Sequence, residues 1–236
     1  MEPYAHLRSV PLFAGLPDSD IVALAAQTRR RVYRAKQQIL WRGEPGETLY
    51  VIANGRVKIH SATENGTEVT LAVLGPAGYF GELSVLDNSP RSADVTALVE
   101  TECTVLDGAA LHETILQHSD IGWRLLQHLA TLVRAQNANI ESLASRDVAG
   151  RVAKLLLQLS EQHGEPWTEL GVRSPARQGI RIAVPLTKID IATFVGATRE
   201  HVTNIMGGFT RSGSIMADPD TGHIVVLKRD NLARRA

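Results

Sequence analysis

Short stretches in which apolar and polar positions alternate dominate residues 31–107 of the chain. Alternation with a period of two is typical of β-strands that bury one face. Groups of Gly, Pro, Asn and Asp separate these stretches and predict turns. The alternating apolar positions are Leu49, Val51, Ala53, Val57, Ile59, Val69, Leu71, Val73, Val95, Ala97 and Val99. Many short strands with regularly spaced turns predict an antiparallel sandwich or barrel.

Helical patterns flank this region. Residues 18–30 begin with acidic and end with basic side chains, an order that suits the helix dipole, and they predict a short helix. Residues 119–145 have apolar positions at intervals of three and four and predict a long helix. The seam of that helix contains Leu125, Leu129, Leu132, Gln136, Ile140 and Leu143. Such a seam must pack on its own domain, on a partner, or on both, and a polar residue within it usually fixes register.

The last part of the chain predicts a winged helix-turn-helix. Residues 148–162 predict a helix, and residues 163–185 predict a loop with one short strand over 179–184. Thr187 and Asp190 form a capping-box pattern at the start of the next helix, which Gly196 ends. Thr198 caps a second helix whose inner face is Val202, Ile205, Met206 and Phe209. Residues 215–227 predict a hairpin with its turn at 218–222, which completes the motif.

The second helix of this motif begins with side chains that can read bases in the major groove. The candidates for DNA contact are Lys188, Thr198, Arg199, Glu200, His201, Thr203 and Asn204, with His223 in the wing. Arg pairs with guanine, Glu accepts from cytosine and Asn suits adenine, whereas Lys188 and His223 suit phosphates. The alternative is a capped helix with a solvated first turn. However, Arg199 in that turn opposes the helix dipole and calls for another reason.

Composition and charge exclude several classes of protein. The chain has 236 residues and a net charge of zero. Residues 1–145 hold 12 basic and 16 acidic side chains, a balance of −4, and residues 146–236 hold 13 and 9, a balance of +4. The basic end hints at a polyanionic partner. No run is apolar enough for a membrane span and no secretory signal is evident, so we expect a cytoplasmic protein without membrane contact.

The segment FGELSVLDNSPRSA, residues 80–93, places two opposite charges close together in the sequence. One interpretation is a surface loop in which Arg91 pairs with Asp87 or Glu82, an interaction that contributes only about 0–1 kcal/mol. The other interpretation is a cradle for a small charged ligand. The residues alone leave both open.

Five motifs, in the same order, resemble the CRP/FNR family of bacterial transcription regulators. They are Gly-Glu-Pro-Gly-Glu at 43–47, Phe-Gly-Glu-Leu-Ser at 80–84, Pro-Arg-Ser-Ala at 90–93, Asp-Val-Ala-Gly-Arg-Val-Ala from 147, and Val-Gly-Ala-Thr-Arg-Glu-His-Val from 195. The resemblance implies an α+β fold with three parts: an N-terminal antiparallel β-roll over 1–118, a long dimerisation helix over 119–146, and a winged helix-turn-helix over 147–236.

The resemblance also implies an allosteric ligand, a cyclic nucleotide, with cyclic AMP expected first and cyclic GMP as the alternative. Glu82 would accept from the ribose 2′-hydroxyl, Arg91 and Ser92 would bind the phosphate, and Gly81 would allow close backbone approach. Leu83 and Val73 would line the pocket. Gln136 and Asn137 would face the base, although Gln136 stands where the family usually has Thr, which leaves the identity of the base open.

The expected partners follow from the same resemblance. They are double-stranded DNA with a two-fold symmetric operator, a second copy bound through the helix over 121–143, and RNA polymerase. The family's third base reader is Arg, and Asn204 replaces it here, so we expect a different half-site at that base pair. The alternatives are a regulator with another effector or none, and a regulatory subunit that does not bind DNA.

We expect neither an enzyme nor a metal centre. The sequence contains no catalytic constellation, and Cys103 as the single cysteine cannot hold an iron–sulfur cluster. Haem is not expected either, because the scattered histidines, His60, His112, His118 and His128, have the spacing of ordinary surface or core residues.

Overall fold

The computed structural model describes residues 5–169 and 177–236. Two segments lie outside the described residues. They are residues 1–4, at the N-terminus where no secretory signal is evident in the sequence, and residues 170–176, within the predicted loop 163–185. The chain divides into two compact units, Met1–Gln136 and Asn137–Ala236.

The N-terminal unit contains eight strands and the helices that cover them, counted over its described residues. The helices are α1 (Ala5–Arg8), α2 (Asp18–Ala26), α3 (Glu82–Asp87), α4 (Gly108–Gln117) and the first part of α5 (Ser119–Ser145), with a 3-10 turn at Pro11–Phe13. The strands are β1 (Thr28–Tyr33), β2 (Gln38–Leu40), β3 (Thr48–Asn54), β4 (Val57–Ala62), β5 (Glu68–Leu74), β6 (Tyr79–Phe80), β7 (Asp94–Ala97) and β8 (Thr101–Asp107).

These strands form two antiparallel four-stranded sheets, as the alternating pattern predicts. Their orders are β1-β8-β3-β6 and β2-β7-β4-β5. One apolar core lies where the helices meet the first sheet and includes Leu49, Leu106 and Ile121. A second core, around Ile52, Val57 and Phe80, holds the two sheets together. The result is the β-roll expected from the family resemblance.

The helix predicted over 18–30 is shorter than expected. It ends at Ala26, and Thr28–Tyr33 form β1, which pairs with β8 from Thr28 opposite Leu106 to Tyr33 opposite Thr101. Arg29, Arg30 and Arg31 are exposed on this edge strand. The basic residues that resemble a helix end therefore belong to a strand, because pairing with β8 outweighs local preference.

The segment from Glu82 to Arg91 begins with a short helix, α3. Gly81 has φ +85° immediately before α3, and Asn88 has φ +56° immediately after it. These two left-handed residues start and stop the helix abruptly. As a result, Glu82 is a first-turn residue and not a strand residue.

The long helix α5 spans Ser119–Ser145, as the periodicity predicts. Its predicted seam is used unevenly: Leu125 is buried in the first core, whereas Ile140 and Leu143 are exposed. Large apolar side chains are also exposed at Trp123, Leu126 and Val133. The exposed apolar row that contains Trp123, Leu126 and Val133 therefore lies beside the predicted seam and not along it. The reason is that Leu125 of the predicted seam packs against the β-roll of its own chain.

The C-terminal unit has the predicted winged helix-turn-helix. Its described elements are the end of α5, α6 (Val148–Gln162), β9 (Gly164–Thr168), β10 (Gln178–Ile182), α7 (Lys188–Val195), α8 (Arg199–Arg211), β11 (Ile215–Ala217), β12 (Ile224–Val226) and α9 (Arg229–Ala233). The strands form one antiparallel sheet in the order β11-β12-β10-β9. The hairpin of β11 and β12 is the wing.

Two strands in this unit differ from the prediction. β10 covers Gln178–Ile182, slightly earlier than the predicted 179–184, and β9 was not predicted. β9 is an edge strand of sequence GEPWT whose side chains are mostly exposed. Since it buries no alternate face, it carries no period-two signal, and Pro166 within it argues against a strand.

Candidate ligand cavity and nucleic-acid interface

A cavity of about 170 Å³ lies within the N-terminal unit, between the β-roll and α5. Its wall includes six of the seven residues predicted to bind ligand, which are Gly81, Glu82, Leu83, Arg91, Ser92 and Gln136. Residues distant in the sequence are therefore brought to one concave site. The seventh, Asn137, is exposed and belongs to the C-terminal unit.

Val73 was expected to line this cavity and does not. Its neighbours Leu71, Ala72 and Leu74 line it, whereas Val73 is buried elsewhere. The reason is a bulge in β5: Ala72 pairs with Ile59 and Thr70 pairs with His60, which leaves Leu71 as an extra residue. The bulge breaks the alternation from which the position of Val73 was predicted.

Arg91 is held in a fixed orientation beneath the cavity. Its side chain is buried, with the residue only 5% exposed. Nη1 donates to the Gly81 carbonyl over 2.8 Å, and Nη2 donates to the carbonyl and hydroxyl oxygens of Thr48 over 2.9 and 3.1 Å. The guanidinium carbon lies 5.9 Å from the centre of the Tyr50 ring. Within the part of the chain that the structure describes, the buried Nε has no hydrogen-bond partner.

Two glycines make room for this arginine. A Cβ atom on Gly46 would lie 2.1 Å from Nε of Arg91, and one on Gly81 would lie 2.7 Å from Nη1. Gly81 also has φ +85°, which L side chains rarely adopt. Both glycines therefore belong to the arginine site, although Gly46 lies 45 positions earlier in the chain.

We predict that Gly46→Ala displaces the Arg91 side chain and destabilises the β-roll by about 1–3 kcal/mol, the usual cost of overpacking. The measurement is the free energy of unfolding in urea. Gly208→Ala is the matched control, because no atom lies within 4 Å of its added methyl group and helix α8 favours alanine over glycine. Equal effects of the two substitutions would contradict the close packing of Gly46 against Arg91.

Glu82 is the second charged residue of the cavity and is 7% exposed. Burial raises the pKa of its carboxyl group, and its own backbone N–H and the charge of Arg91 oppose that rise. Among the described residues, Arg91 forms no ion pair with Glu82 or with Asp87. The surface-loop interpretation of residues 80–93 therefore does not match the structure, since both charges are buried and neither is satisfied by the other.

The wall that α5 gives to the cavity contains His128, Leu132 and Gln136. Gln136 was predicted from the sequence to face the ligand, whereas His128 had no predicted role in the site. The ring of His128 packs on that of Tyr79, with centroids 4.7 Å apart and planes at 42°. The spacing i, i+4 and i+8, counted from His128, puts these three residues on one face of α5, and this signal was available in the sequence.

The candidate DNA-reading residues lie around the start of α8. Arg199, Glu200, His201 and Asn204 are exposed, as is Lys188 at the start of α7. Two threonines also make local hydrogen bonds: Thr198 accepts from the His201 backbone N–H over 3.3 Å, and Thr203 donates to the Arg199 carbonyl over 2.8 Å. The helix is therefore capped in the predicted way, with a charged and solvent-facing first turn.

Helices α7 and α8 are anchored to the core of the C-terminal unit. The predicted capping box of Thr187 and Asp190 starts α7, and Gly196 ends it with φ +61°. Arg151 of α6 donates to the Val195 carbonyl over 2.9 Å, so the turn between the helices is tied to the unit's core. Val202 and Met206 bury the inner face of α8, while Ile205 and Phe209 are half-buried.

The wing is held by a buried carboxylate. Asp218 is 2% exposed and accepts from the Asp220 backbone N–H, the Thr221 hydroxyl and Arg181. Burial raises the pKa of Asp218, but these hydrogen bonds and the charge of Arg181 together outweigh burial and hold the pKa below its ordinary value. His223, a candidate phosphate contact, follows this turn and is half-buried.

The histidines considered for haem have other surroundings. His60 contacts Thr96 and Glu68, His118 pairs with Asp20, and His112 is exposed. Burial raises the pKa of the Cys103 thiol to about 12, as expected of a core residue. Over residues 5–169 and 177–236, no group of three or more His, Cys, Asp and Glu side chains is arranged to hold a metal ion.

None of the helices in the described ranges combines the length and the apolar character that crossing a membrane requires.

Comparison with known proteins finds two domain families in the chain. Residues 30–118 match the family described as Cyclic nucleotide-binding domain, and residues 150–235 match the Crp-like helix-turn-helix domain. The chain is 35% identical over 225 residues to the CRP-like cAMP-activated global transcriptional regulator of Mycobacterium tuberculosis. The matched residues cover 95% of this chain and 96% of that protein.

Solved structures share the fold at lower identity. FixK2 from Bradyrhizobium japonicum has a TM-score of 0.73 at 20% identity and covers 88% of this chain and 96% of its own. The c-di-GMP responsive global regulator CLP of Xanthomonas campestris has a TM-score of 0.69 at 21% identity, with coverage of 89% and 99%. Because both domain families match in order, and because a curated relative matches over almost its whole length, the chain belongs to the CRP/FNR family of transcription regulators, which are not enzymes.

Proposed function

We propose that this protein is a homodimeric, sequence-specific transcription regulator that binds cyclic AMP in the cavity of its β-roll. The observation that carries the proposal is the pair of buried charges on one cavity wall: the Nε donor of Arg91 without a partner among the described residues, and the Glu82 carboxylate without a cation. A buried charged group without a partner lowers the stability of the protein unless a bound ligand or ion satisfies it. A cyclic nucleotide supplies both an anionic phosphate and a hydroxyl.

Each wall of the cavity has a distinct task in this proposal. Arg91 and Ser92 bind the phosphate, and Gly81 lets the backbone approach it. Glu82 accepts from the ribose 2′-hydroxyl, and Leu83 packs against the ligand. Gln136 hydrogen-bonds the base, with Asn137 supplied by the second protomer. An amide side chain pairs with either purine, so cyclic GMP is the competing ligand.

Homodimerisation is proposed through the exposed face of α5. The residues of this face recur at alternating intervals of three and four, and they are Trp123, Leu126, Ala130, Val133, Asn137 and Ile140. This is the heptad spacing of a two-helix seam, and Asn137 would be its register-fixing polar residue. The relative from M. tuberculosis is named as cAMP-activated, which supports cyclic AMP as the effector.

The DNA-facing part of the proposal assigns base reading to Arg199, Glu200, His201, Thr203 and Asn204, with Thr198 as the cap. Lys188 would contact phosphate. Two such helices in a dimer fit major grooves one helical turn apart on a two-fold symmetric operator. RNA polymerase is the proposed protein partner, and the cytoplasm the proposed compartment. The proposed domain limits are 1–118, 119–146 and 147–236.

Calorimetry and DNA binding together test the proposed function. We expect the protein to bind cyclic AMP at one site per chain, and cyclic AMP to change its affinity for a selected operator. The assay uses cyclic AMP, cyclic GMP and cyclic di-GMP, each measured by calorimetry and by fluorescence anisotropy of labelled DNA. Binding of DNA with no response to any of the three would support the alternative of a regulator with another effector or none. Absence of DNA binding under all conditions would support a regulatory subunit.

A further inference from the structure

The α5 wall of the cavity carries a residue to which the family resemblance gives no role. His128 lies two helical turns before Gln136, about 12 Å away along the axis, and Leu132 lies between them. The three residues share one face of α5, so a ligand that reaches Gln136 lies along a wall that begins at His128.

The orientation of the His128 ring is fixed by its packing. The ring is half-buried against Tyr79, which β6 holds by pairing with Val51 of β3. Neither the His128 nitrogens nor the Tyr79 hydroxyl has a hydrogen-bond partner among the described residues. His128 therefore presents unused hydrogen-bonding groups at the cavity, with its ring packed on that of Tyr79.

The charge state of His128 is set by its surroundings. Burial lowers the pKa of the imidazole, and no charged group opposes that effect appreciably. The titratable groups that share the cavity are Tyr79 from β6, Glu82 from α3 and Arg91 from the loop before β7. A neutral imidazole offers one N–H donor and one acceptor.

Tyr79 links His128 to Glu82 on the wall of the cavity that both residues line. Tyr79 contacts the His128 ring, is three positions before Glu82 in the chain, and is close enough for the Glu82 charge to raise its pKa after the larger effect of burial. A ribose hydroxyl next to Glu82 donates its single hydrogen to the carboxylate and keeps two lone pairs to be filled. The unused imidazole N–H is a donor suited to one of them.

We propose that His128 is a ligand-contacting residue that determines sugar specificity: it donates to the ribose 2′-hydroxyl oxygen while Glu82 accepts the hydroxyl hydrogen. The 2′-hydroxyl is thereby read as both donor and acceptor. A site built in this way rejects a 2′-deoxy sugar more strongly than a site with Glu82 alone, because two protein groups are left without partners. This assignment rests on the proposed binding of a cyclic nucleotide in the cavity.

The experiment is a cycle of two ligands and two proteins, measured by calorimetry. The ligands are cyclic AMP and 2′-deoxy cyclic AMP, and the proteins are wild type and His128→Phe, which keeps a ring against Tyr79 but has no hydrogen-bonding groups. We expect His128→Phe to weaken cyclic AMP binding about fivefold, the effect of one hydrogen bond. The affinity for 2′-deoxy cyclic AMP should not fall, because the imidazole has no partner on that ligand.

Two further variants keep the result interpretable. His112→Phe makes the same substitution at an exposed histidine of α4 and should leave both affinities unchanged. His128→Gln restores an N–H donor and should recover part of the selectivity, which a purely structural role would not produce. An equal loss for both ligands, or no loss, overturns the role of His128 alone. A wild-type protein that binds neither ligand overturns the proposed function together with it.

Discussion

Arg91→Gln is expected to weaken cyclic AMP binding by roughly 2–4 kcal/mol, or about 30- to 1,000-fold. The guanidinium is buried and already oriented by the carbonyls of Gly81 and Thr48, so the ligand does not have to organise it. A charge-assisted hydrogen bond from such a donor to a phosphate is stronger than a neutral one. The glutamine amide carries no charge and is too short to replace it. Calorimetry on the purified variant measures the loss.

The matched control for this substitution is Arg29→Gln. Arg29 lies exposed on the edge strand β1, so its replacement removes the same charge from the same domain without touching the cavity. Equal affinities of the two variants for cyclic AMP would contradict the role of Arg91. Thermal unfolding of both variants is measured in parallel, because the loss of Arg91 also leaves the Thr48 and Gly81 carbonyls without their donor.

The sequence predicts the elements that bury a regular face. The alternation over residues 31–107 gives the β-roll strands, and the apolar intervals of three and four give α5, α6 and α8. The local signals for caps are equally direct, as at Thr187, Gly196 and Thr198. In each of these cases the information lies within a few neighbouring residues, and packing agrees with local preference.

Elements that depend on distant partners are predicted less well. β1 and β9 are edge strands whose polar side chains face solvent, so their place in a sheet depends on neighbours far along the chain. The bulge in β5, which removes Val73 from the cavity, is likewise set by its pairing with β4. The open face of α5 cannot be chosen from periodicity, since several rows of apolar residues run along this helix and the β-roll covers one of them.

The candidate site divides in the same way. The charges of Glu82 and Arg91 are visible in the sequence, because a turn segment seldom needs both. The role of Gly46 emerges only when Arg91 is seen packed against it. His128 is a comparable case: its spacing from Gln136 puts both on one face of α5, but a role in the site emerges only when Tyr79 and the cavity wall lie beside it. Sequence motifs thus indicate the charged residues of the candidate site better than the residues that shape its cavity.

Arg199→Ala in helix α8 is expected to reduce affinity for the preferred operator by about 1–3 kcal/mol per half-site and to relax base preference at one position. Arg199 is exposed in the first turn of α8, where its charge opposes the helix dipole, so its removal should not destabilise the domain. Selection from random DNA followed by anisotropy titration measures both effects. The expected signature is the loss of guanine preference at a single base pair in each half-site.

Arg211→Ala is the control that separates base reading from simple charge. Arg211 is exposed in the last turn of the same helix, far from the end that enters the major groove, and its loss changes the net charge by the same amount. A residue that only attracts the phosphate backbone lowers affinity for all sequences alike and reduces the salt dependence. If Arg199→Ala lowers affinity uniformly, with base preference intact, its assignment as a guanine reader is wrong. If preference relaxes only in Arg199→Ala, the first turn of α8 reads sequence through that side chain, and the basic charge of the domain serves general attraction to DNA.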